Sequence, residues 1–136
     1  MKTLVIYYSY SGHTKEKASS YAKEESAELT EIKDGKRPGK LKAYIRGCFA
    51  AIRGKAWPIQ PIDMNLTSFE HLTLFSPVWA GHMPPAVNAL IEQLPNDITL
   101  SVRMVSSSGE SDCKERLERI LKSKGCTLAD FENMKS

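Results

Sequence analysis

The sequence predicts a single three-layer α/β domain over residues 1–136, with a parallel sheet that helices cover on both faces. Short apolar, β-prone segments alternate with longer segments of helical spacing, and this alternation is the signature of β-α-β units. The length and the content of 41% hydrophobic and 26% charged residues are those of an ordinary globular domain. We find no internal repeat and no linker-like change in composition.

Four segments are predicted as strands. Residues 3–8 form a continuous apolar and β-prone run, typical of a strand that is buried on both faces. Residues 27–32, 71–76 and 99–105 give the second, third and fourth strands. For residues 127–134, a fifth strand and a helical turn both fit the sequence.

Helices are predicted between the strands. The first follows the polar turn after residue 8, and the clearest spans residues 40–53, where apolar residues recur at i, i+3, i+4, i+7, i+8 and i+11. A third helix begins at Pro84 and Pro85. Asp112 with Glu115 predicts a capping box for a fourth helix, which ends at Gly125.

Several classes of protein are disfavoured. No apolar run approaches the roughly 18 residues of a membrane span, and the N-terminus lacks the features of a signal peptide, so we expect a cytoplasmic protein. Three cysteines without a C-x-x-C pair argue against a disulfide framework and a zinc ribbon; Cys48, Cys113 and Cys126 are expected to be plain thiols. We find no catalytic acid–base constellation, metal site or nucleic-acid signature.

Three polar loops follow directly after strands, at residues 9–14, 77–83 and 106–111. In a parallel sheet, ligands bind outside the carboxyl ends of the strands, where the strand order reverses. We therefore expect the three loops to line one edge of the sheet.

The first loop places Ser9, Ser11 and Thr14 around Gly12, where a buried strand becomes a helix. A helix N-terminus with free N–H groups and nearby hydroxyls suits a phosphate. The loop has neither a P-loop nor a G-x-G-x-x-G motif. Alternatively, these hydroxyls only cap the helix.

The other two loops suit a planar ring. Trp79, on a loop that is poorly placed for the core, offers a flat apolar face for stacking, although it could also fold down onto the sheet edge. Residues 106–109 are three serines and a glycine, which could hydrogen-bond the edge of a heterocycle.

Taken together, these segments resemble the flavodoxin family over nearly the whole chain. Residues 6–14 are similar to its phosphate loop of the form [TS]-x-[TS]-G-x-T, and residues 76–85 to its second flavin loop and the helix that follows. The resemblance implies a 2-1-3-4-5 strand order, with FMN at the switch point between strands 1 and 3. It also implies an electron carrier between redox partner proteins, and the lack of lysine and arginine in the first loop favours a low potential.

Carried over to this sequence, the resemblance assigns FMN-binding residues in each loop. The phosphate residues are Ser9, Ser11, Gly12, His13 and Thr14. The residues beside the ribityl chain and ring are Pro77, Val78, Trp79, Ala80 and Gly81, with Trp79 the stacking candidate. The residues on the other side of the ring are Ser106, Ser107, Ser108 and Gly109.

This chain departs from the family at several points. His13 stands where Asn is frequent, the third loop has no aromatic residue, and His82 is either a proton relay or an idle loop residue. The open ring face leaves an NAD(P)H- or quinone-dependent FMN oxidoreductase as an alternative. A third possibility is a binding module that has lost FMN. We also expect a bare sheet face near strand 5, which a second copy could cover in a homodimer.

The net charge of +3 is unevenly distributed. Residues 31–55 contain eight basic and two acidic residues, a local +6, whereas residues 56–109 contain one basic and four acidic residues, a local −3. The basic residues of the helix over residues 40–53 are either its solvated face or a docking surface for an acidic partner or a nucleotide phosphate.

Overall fold

The computed structural model describes residues 3–10, 12–35 and 40–136, with backbone only for residues 40–44. The predicted elements are present in the predicted order. The strands are β1 (Thr3–Tyr7), β2 (Glu28–Glu31), β3 (His71–Pro77), β4 (Thr99–Ser106) and β5 (Thr127–Lys135), and the helices are α1 (His13–Glu24), α2 (Lys40–Ile52), α3 (Pro85–Gln93) and α4 (Lys114–Ser123). A short 3₁₀ turn, Leu66–Ser68, precedes β3.

The five strands form one parallel sheet of order β2-β1-β3-β4-β5, as predicted. β1 pairs with both β2 and β3, and Leu4 lies opposite Glu28 on one side and Leu72 on the other. Because β2 and β3 lie on opposite sides of β1, the strand order reverses at β1. The expected switch point therefore lies between β1 and β3.

One face of the sheet carries most of the core. Alternate residues of the central strands, such as Leu4, Leu74 and Val102, are fully buried there beneath α2, α3 and α4. The opposite face has a small apolar cluster formed by Val5, Tyr7, Phe75 and Val105 with Ala18 and Ala22 of α1. Helix α1 packs against β1, β2 and β3.

Over β4 and β5, the α1 side of the sheet is polar. His71 Nε2 lies 2.7 Å from Ser101 Oγ, which in turn donates to Asp130 Oδ2 at 3.2 Å. The Arg103 guanidinium forms ion pairs with Asp130 and, at 3.3 Å, with Glu132. Near strand 5, this face of the sheet is thus a network of charges and hydroxyls.

Helix α4 begins one residue later than predicted. The capping box at Asp112 is wrong: Cys113 is the N-cap of α4 and no side chain caps it, because the Asp112 N–H donates to the carbonyl of Gly81 at 2.6 Å and holds the residue in the preceding loop. Residues 127–134 form a strand, with a register shift between Leu100 and Ser101 of its neighbour. Gly125 ends the α4 segment with a positive φ of 74°, as expected for a C-terminal glycine.

Cys48, Cys113 and Cys126 are free thiols, the last two buried. In the part of the chain that the structure describes, no helix is long and apolar enough to cross a membrane.

Candidate functional site

The loops after β1, β3 and β4 meet at the carboxyl edge of the sheet. The Tyr10 ring of the first loop lies edge-on to the Trp79 ring of the second, with centroids 5.2 Å apart. The Asp112 N–H to Gly81 C=O bond joins the third loop to the second. The three predicted loops therefore form one continuous rim around the switch point.

The first loop is a tight turn into α1. Gly12 is the N-cap residue, with φ of 101°, a backbone conformation that glycine adopts without strain. Ser9 Oγ accepts the N–H groups of Gly12 and Lys15 at 3.0 and 3.2 Å. Ser9 therefore satisfies part of the helix terminus and shapes the turn.

Donors remain open at this terminus. Among the described residues, the backbone N–H groups of His13 and Thr14 have no hydrogen-bond acceptor, and a Cβ built on Gly12 would meet no atom within 4 Å. The His13 side chain is exposed, whereas the Thr14 side chain is buried. The prediction for Ser11 lies outside the described residues.

The second loop is a short two-residue turn. Trp79 and His82 exchange backbone hydrogen bonds of 2.8 and 3.0 Å, and the central residues Ala80 and Gly81 both have positive φ, at 51° and 84°. Such turns normally take glycine or asparagine, so Ala80 holds a strained backbone. Pro77 and Val78 are half-buried before the turn.

Trp79 itself belongs to the core, and the expectation that its position on a loop disfavours this is wrong. Its side chain is 2% exposed, and its ring meets those of Tyr8, Tyr10 and Trp57 edge-on at 6.0, 5.2 and 5.9 Å. A planar ligand would reach the Trp79 ring only after this packing opens. Its stacking role stays a prediction.

Sequence reasoning missed the residue that organises this aromatic cluster. Asp34 accepts hydrogen bonds from the Tyr8 hydroxyl, at 2.9 and 3.0 Å, and from the Trp57 indole N–H at 3.1 Å. Asp34 begins a sequence segment with two glycines and a proline, residues 34–39, and nothing in that composition indicates a bond to side chains more than 20 residues away.

In the third loop, the serine hydroxyls accept hydrogen bonds from the backbone of the same loop. Ser106 Oγ accepts the N–H of Gly109 at 3.0 Å, and Ser108 Oγ accepts the N–H of Glu110 at 3.2 Å. Ser107 is exposed, and Gly109 has a φ of 73°. The four predicted residues thus lie together at the rim, in a turn that its own side chains stabilise.

His82 is the ionisable group of the rim whose environment differs most from water. Burial lowers its pKa, the Arg116 charge lowers it further, and Asp112 opposes both. The Nδ1 atom is buried and has no hydrogen-bond partner within the described part of the chain. These effects favour the neutral ring. No cluster of three or more His, Cys, Asp or Glu side chains in the described ranges could hold a metal ion.

Comparison with known proteins gives a likeness of structure alone. No protein-family profile and no curated protein sequence matches the chain. Among solved structures, it is similar to a flavoprotein from Lactobacillus acidophilus NCFM in complex with FMN, at TM-score 0.70 and 22% identity over 98% of this chain and 92% of that one. The fold is flavodoxin-like.

Two flavodoxins share this flavodoxin-like fold at lower identity. Oxidised flavodoxin 2 from Bacillus cereus matches at TM-score 0.59 and 15% identity, over 99% of this chain and 84% of that one. The flavodoxin of Streptococcus pneumonia TIGR4 matches at TM-score 0.54 and 12% identity, over 97% and 83%.

Proposed function

We propose that this protein binds FMN at the rim and carries electrons at low potential between redox partner proteins. The observation that carries the proposal is the phosphate-type turn at the switch point, where Gly12 opens α1 and the N–H groups of His13 and Thr14 have no acceptor among the described residues. The similar flavoprotein from Lactobacillus acidophilus is in complex with FMN, and FMN supplies reversible electron uptake wherever it binds.

The residues present fit a phosphate at this turn. The N–H groups of His13 and Thr14 point out of the first turn of a 12-residue helix, whose dipole favours an anion. The open space beside Gly12 leaves room for close approach. The exposed His13 imidazole lies next to these donors and would add attraction when it is protonated.

The absence of countercharge in the first loop supports a low potential. Residues 9–14 contain no lysine or arginine, so oriented N–H dipoles would hold the phosphate and leave its charge largely uncompensated. A negative charge that is not neutralised disfavours a second negative charge on a bound ring.

The test compares FMN with riboflavin, which has the same ring but no phosphate. Apo protein is titrated with each, and binding is followed through quenching of flavin fluorescence. Two backbone N–H bonds to a phosphate, at about 1.5 kcal/mol each, predict roughly 100-fold tighter binding of FMN. Equal affinities would contradict a phosphate site, and failure to bind either flavin would favour a module without FMN.

A matched pair of glycine variants locates the site. Gly12→Ala and Gly125→Ala both place a side chain at positive φ without a close contact, so both carry similar backbone strain. We expect only Gly12→Ala to weaken FMN, because Gly125 lies after α4, away from the rim. If both variants weaken FMN equally, the phosphate lies elsewhere.

The carrier proposal is separated from the oxidoreductase alternative by mixing FMN-loaded protein with NADH or NADPH under anaerobic conditions. We expect the flavin absorbance to persist for minutes and to bleach only after addition of a separate reductase. Rapid bleaching by the nicotinamide alone would establish the oxidoreductase instead.

A further inference from the structure

Helix α2 exposes a row of large apolar side chains. Ile45, Phe49 and Ile52 are 51%, 62% and 47% exposed, and their spacing of i, i+4 and i+7 places them in one line along the helix. We call this line the α2 ridge. It is about 10 Å long at 1.5 Å per residue, and it is the type of surface that packs against a second helix.

Two arginines flank the α2 ridge. Arg46 and Arg53 are seven residues apart, so they lie on the same side of the helix, and both are exposed. Neither forms an ion pair with another described residue. One border of the ridge is therefore positive, without a partner carboxylate among the described residues.

An apolar groove begins where the ridge ends. Gly54 forms one wall, and α3, α4 and the second loop supply Met83, Ile91, Leu117 and Ile120. The Arg116 guanidinium lines the groove and donates to the carbonyls of Ala51 and Ile52 at 2.9 and 2.7 Å. Arg116 thus fixes the end of α2 to α4 beside the groove.

We propose that the α2 ridge and this groove bind an amphipathic helix of a partner protein, with acidic residues beside its apolar face. The apolar face packs along Ile45, Phe49 and Ile52, and its acidic border pairs with Arg46 and Arg53. Gly47 lies on the buried face of α2 and packs the helix against Trp79 of the second loop, so the ridge is on the opposite, exposed face of the same helix.

A second copy of the chain fits this surface poorly. The other large apolar side chain exposed in the described residues is Leu29, on β2. A symmetric dimer would place one α2 ridge against another and bring the arginines of both copies together, with repulsion between like charges. Binding to anionic vesicles is the outcome of the test below that would assign the ridge to a membrane instead.

The test uses a designed helical peptide of about 18 residues, long enough to be helical in water. It carries leucine and phenylalanine at i, i+4 and i+7 and glutamate on both borders. Binding to apo and FMN-loaded protein is measured by calorimetry, and the contact surface by amide chemical-shift changes. We expect shifts in α2, α3 and α4, and none in α1. A scrambled peptide of the same composition is the probe control.

Two variant pairs make the result specific. Phe49→Ser is matched by Leu29→Ser, which removes a 38% exposed apolar side chain from another surface. Arg46→Glu with Arg53→Glu is matched by Lys17→Glu with Lys23→Glu on α1. We expect each α2 variant to weaken the peptide about tenfold, from lost burial or reversed charge, and the α1 and β2 controls to leave affinity unchanged. Thermal melts confirm that all variants fold.

The proposal is overturned if the designed and scrambled peptides bind equally, if neither binds, or if the shifts lie outside α2, α3 and α4. Concentration-dependent dimerisation abolished by Phe49→Ser would assign the ridge to a second copy. Binding to vesicles containing phosphatidylserine that is lost in the same variant would assign it to a membrane. No readout depends on flavin, so this inference and the proposed function can fail separately.

Discussion

The two faces of the sheet are built on different principles. Beneath α2, α3 and α4, alternate strand residues are apolar and join helix residues in one large cluster that includes Trp79. On the α1 side, the apolar cluster covers the centre of the sheet, and over β4 and β5 it gives way to His71, Ser101, Arg103 and Asp130. A sheet face needs a helical cover only where its side chains are apolar.

This difference bears on the predicted homodimer. The prediction relied on a bare sheet face near strand 5, and on that face Arg103 forms ion pairs with Asp130 and Glu132. Ion pairs that are already hydrated gain little from a second copy. Dimerisation stays a prediction, and this face offers no apolar driving force for it.

The largest effect is expected from Trp79→Ala on the α2 side. Removing a buried tryptophan should lower the free energy of unfolding by about 3–5 kcal/mol, measured by urea denaturation. FMN affinity of the folded variant is measured in parallel. A loss of affinity by about 1–3 kcal/mol would support a contact with the ring, whereas unchanged affinity would mean that Trp79 is structural. A stability change below about 1 kcal/mol would contradict its place in the core.

Gly47→Ala tests how closely α2 approaches the same ring. Alanine favours a helix by about 1 kcal/mol over glycine, yet its Cβ would lie 2.2 Å from Trp79 Cζ3. We expect a net destabilisation of about 1–3 kcal/mol from overpacking. In a Trp79→Ala background the contact with Trp79 is absent and only the 3.1 Å approach to the Trp57 ring remains, so the same substitution should cost less stability than in the wild type. Stabilisation in the wild-type background would show that α2 lies further away.

On the α1 side, removing either of two buried hydroxyls should change the free energy of unfolding, in opposite directions for the two. Thr73 Oγ1 has no hydrogen-bond partner among the described residues, so Thr73→Val should raise the free energy of unfolding by about 1 kcal/mol. Ser101 Oγ is bonded to His71 and Asp130, so Ser101→Ala should lower it by a similar amount. Chemical denaturation of both variants checks the pair, and changes of the same sign would count against the network.

The smallest effect is the pH dependence from His82. Because its pKa in the folded protein lies below the ordinary value of 6.5, mainly through burial, the unfolded chain binds the proton more readily. Stability from this residue should therefore fall as the pH drops through 6.5. His82→Gln should flatten the plot of unfolding free energy against pH between about 7 and 5.5. Identical slopes would mean that burial does not affect the ring.

The sequence was sufficient for the order of elements and for the rim, because both follow from local patterns. Residues 3–8 are uniformly apolar, and each polar loop follows a strand directly. The fifth strand was harder to predict from the sequence. Its partly buried residues are Leu128, Phe131 and Met134, and a spacing of three residues also fits a helix. The register shift beside Ser101 places Leu128 and Phe131 on the same face of the sheet, whereas Met134 packs on the opposite face, and no single-strand pattern reveals this.

Contacts between distant segments could not be predicted from the sequence. Trp79 is in the core because Gly47, more than 30 residues earlier, lets α2 approach its ring. Asp34 joins Tyr8 to Trp57 through bonds that no local motif encodes. Likewise, Asp112 satisfies the capping-box pattern, but its N–H is taken by Gly81 across the rim.

The two tryptophans of the aromatic cluster also make intrinsic fluorescence a local probe of this protein. The chain has two tryptophans, Trp57 and Trp79, and their rings lie 5.9 Å apart on the α2 side. Intrinsic emission of the whole protein therefore comes from one place, between the rim and the α2 ridge. It will register loosening of α2 while leaving events on the α1 face unseen, so differences between emission and circular dichroism would separate local opening from global unfolding.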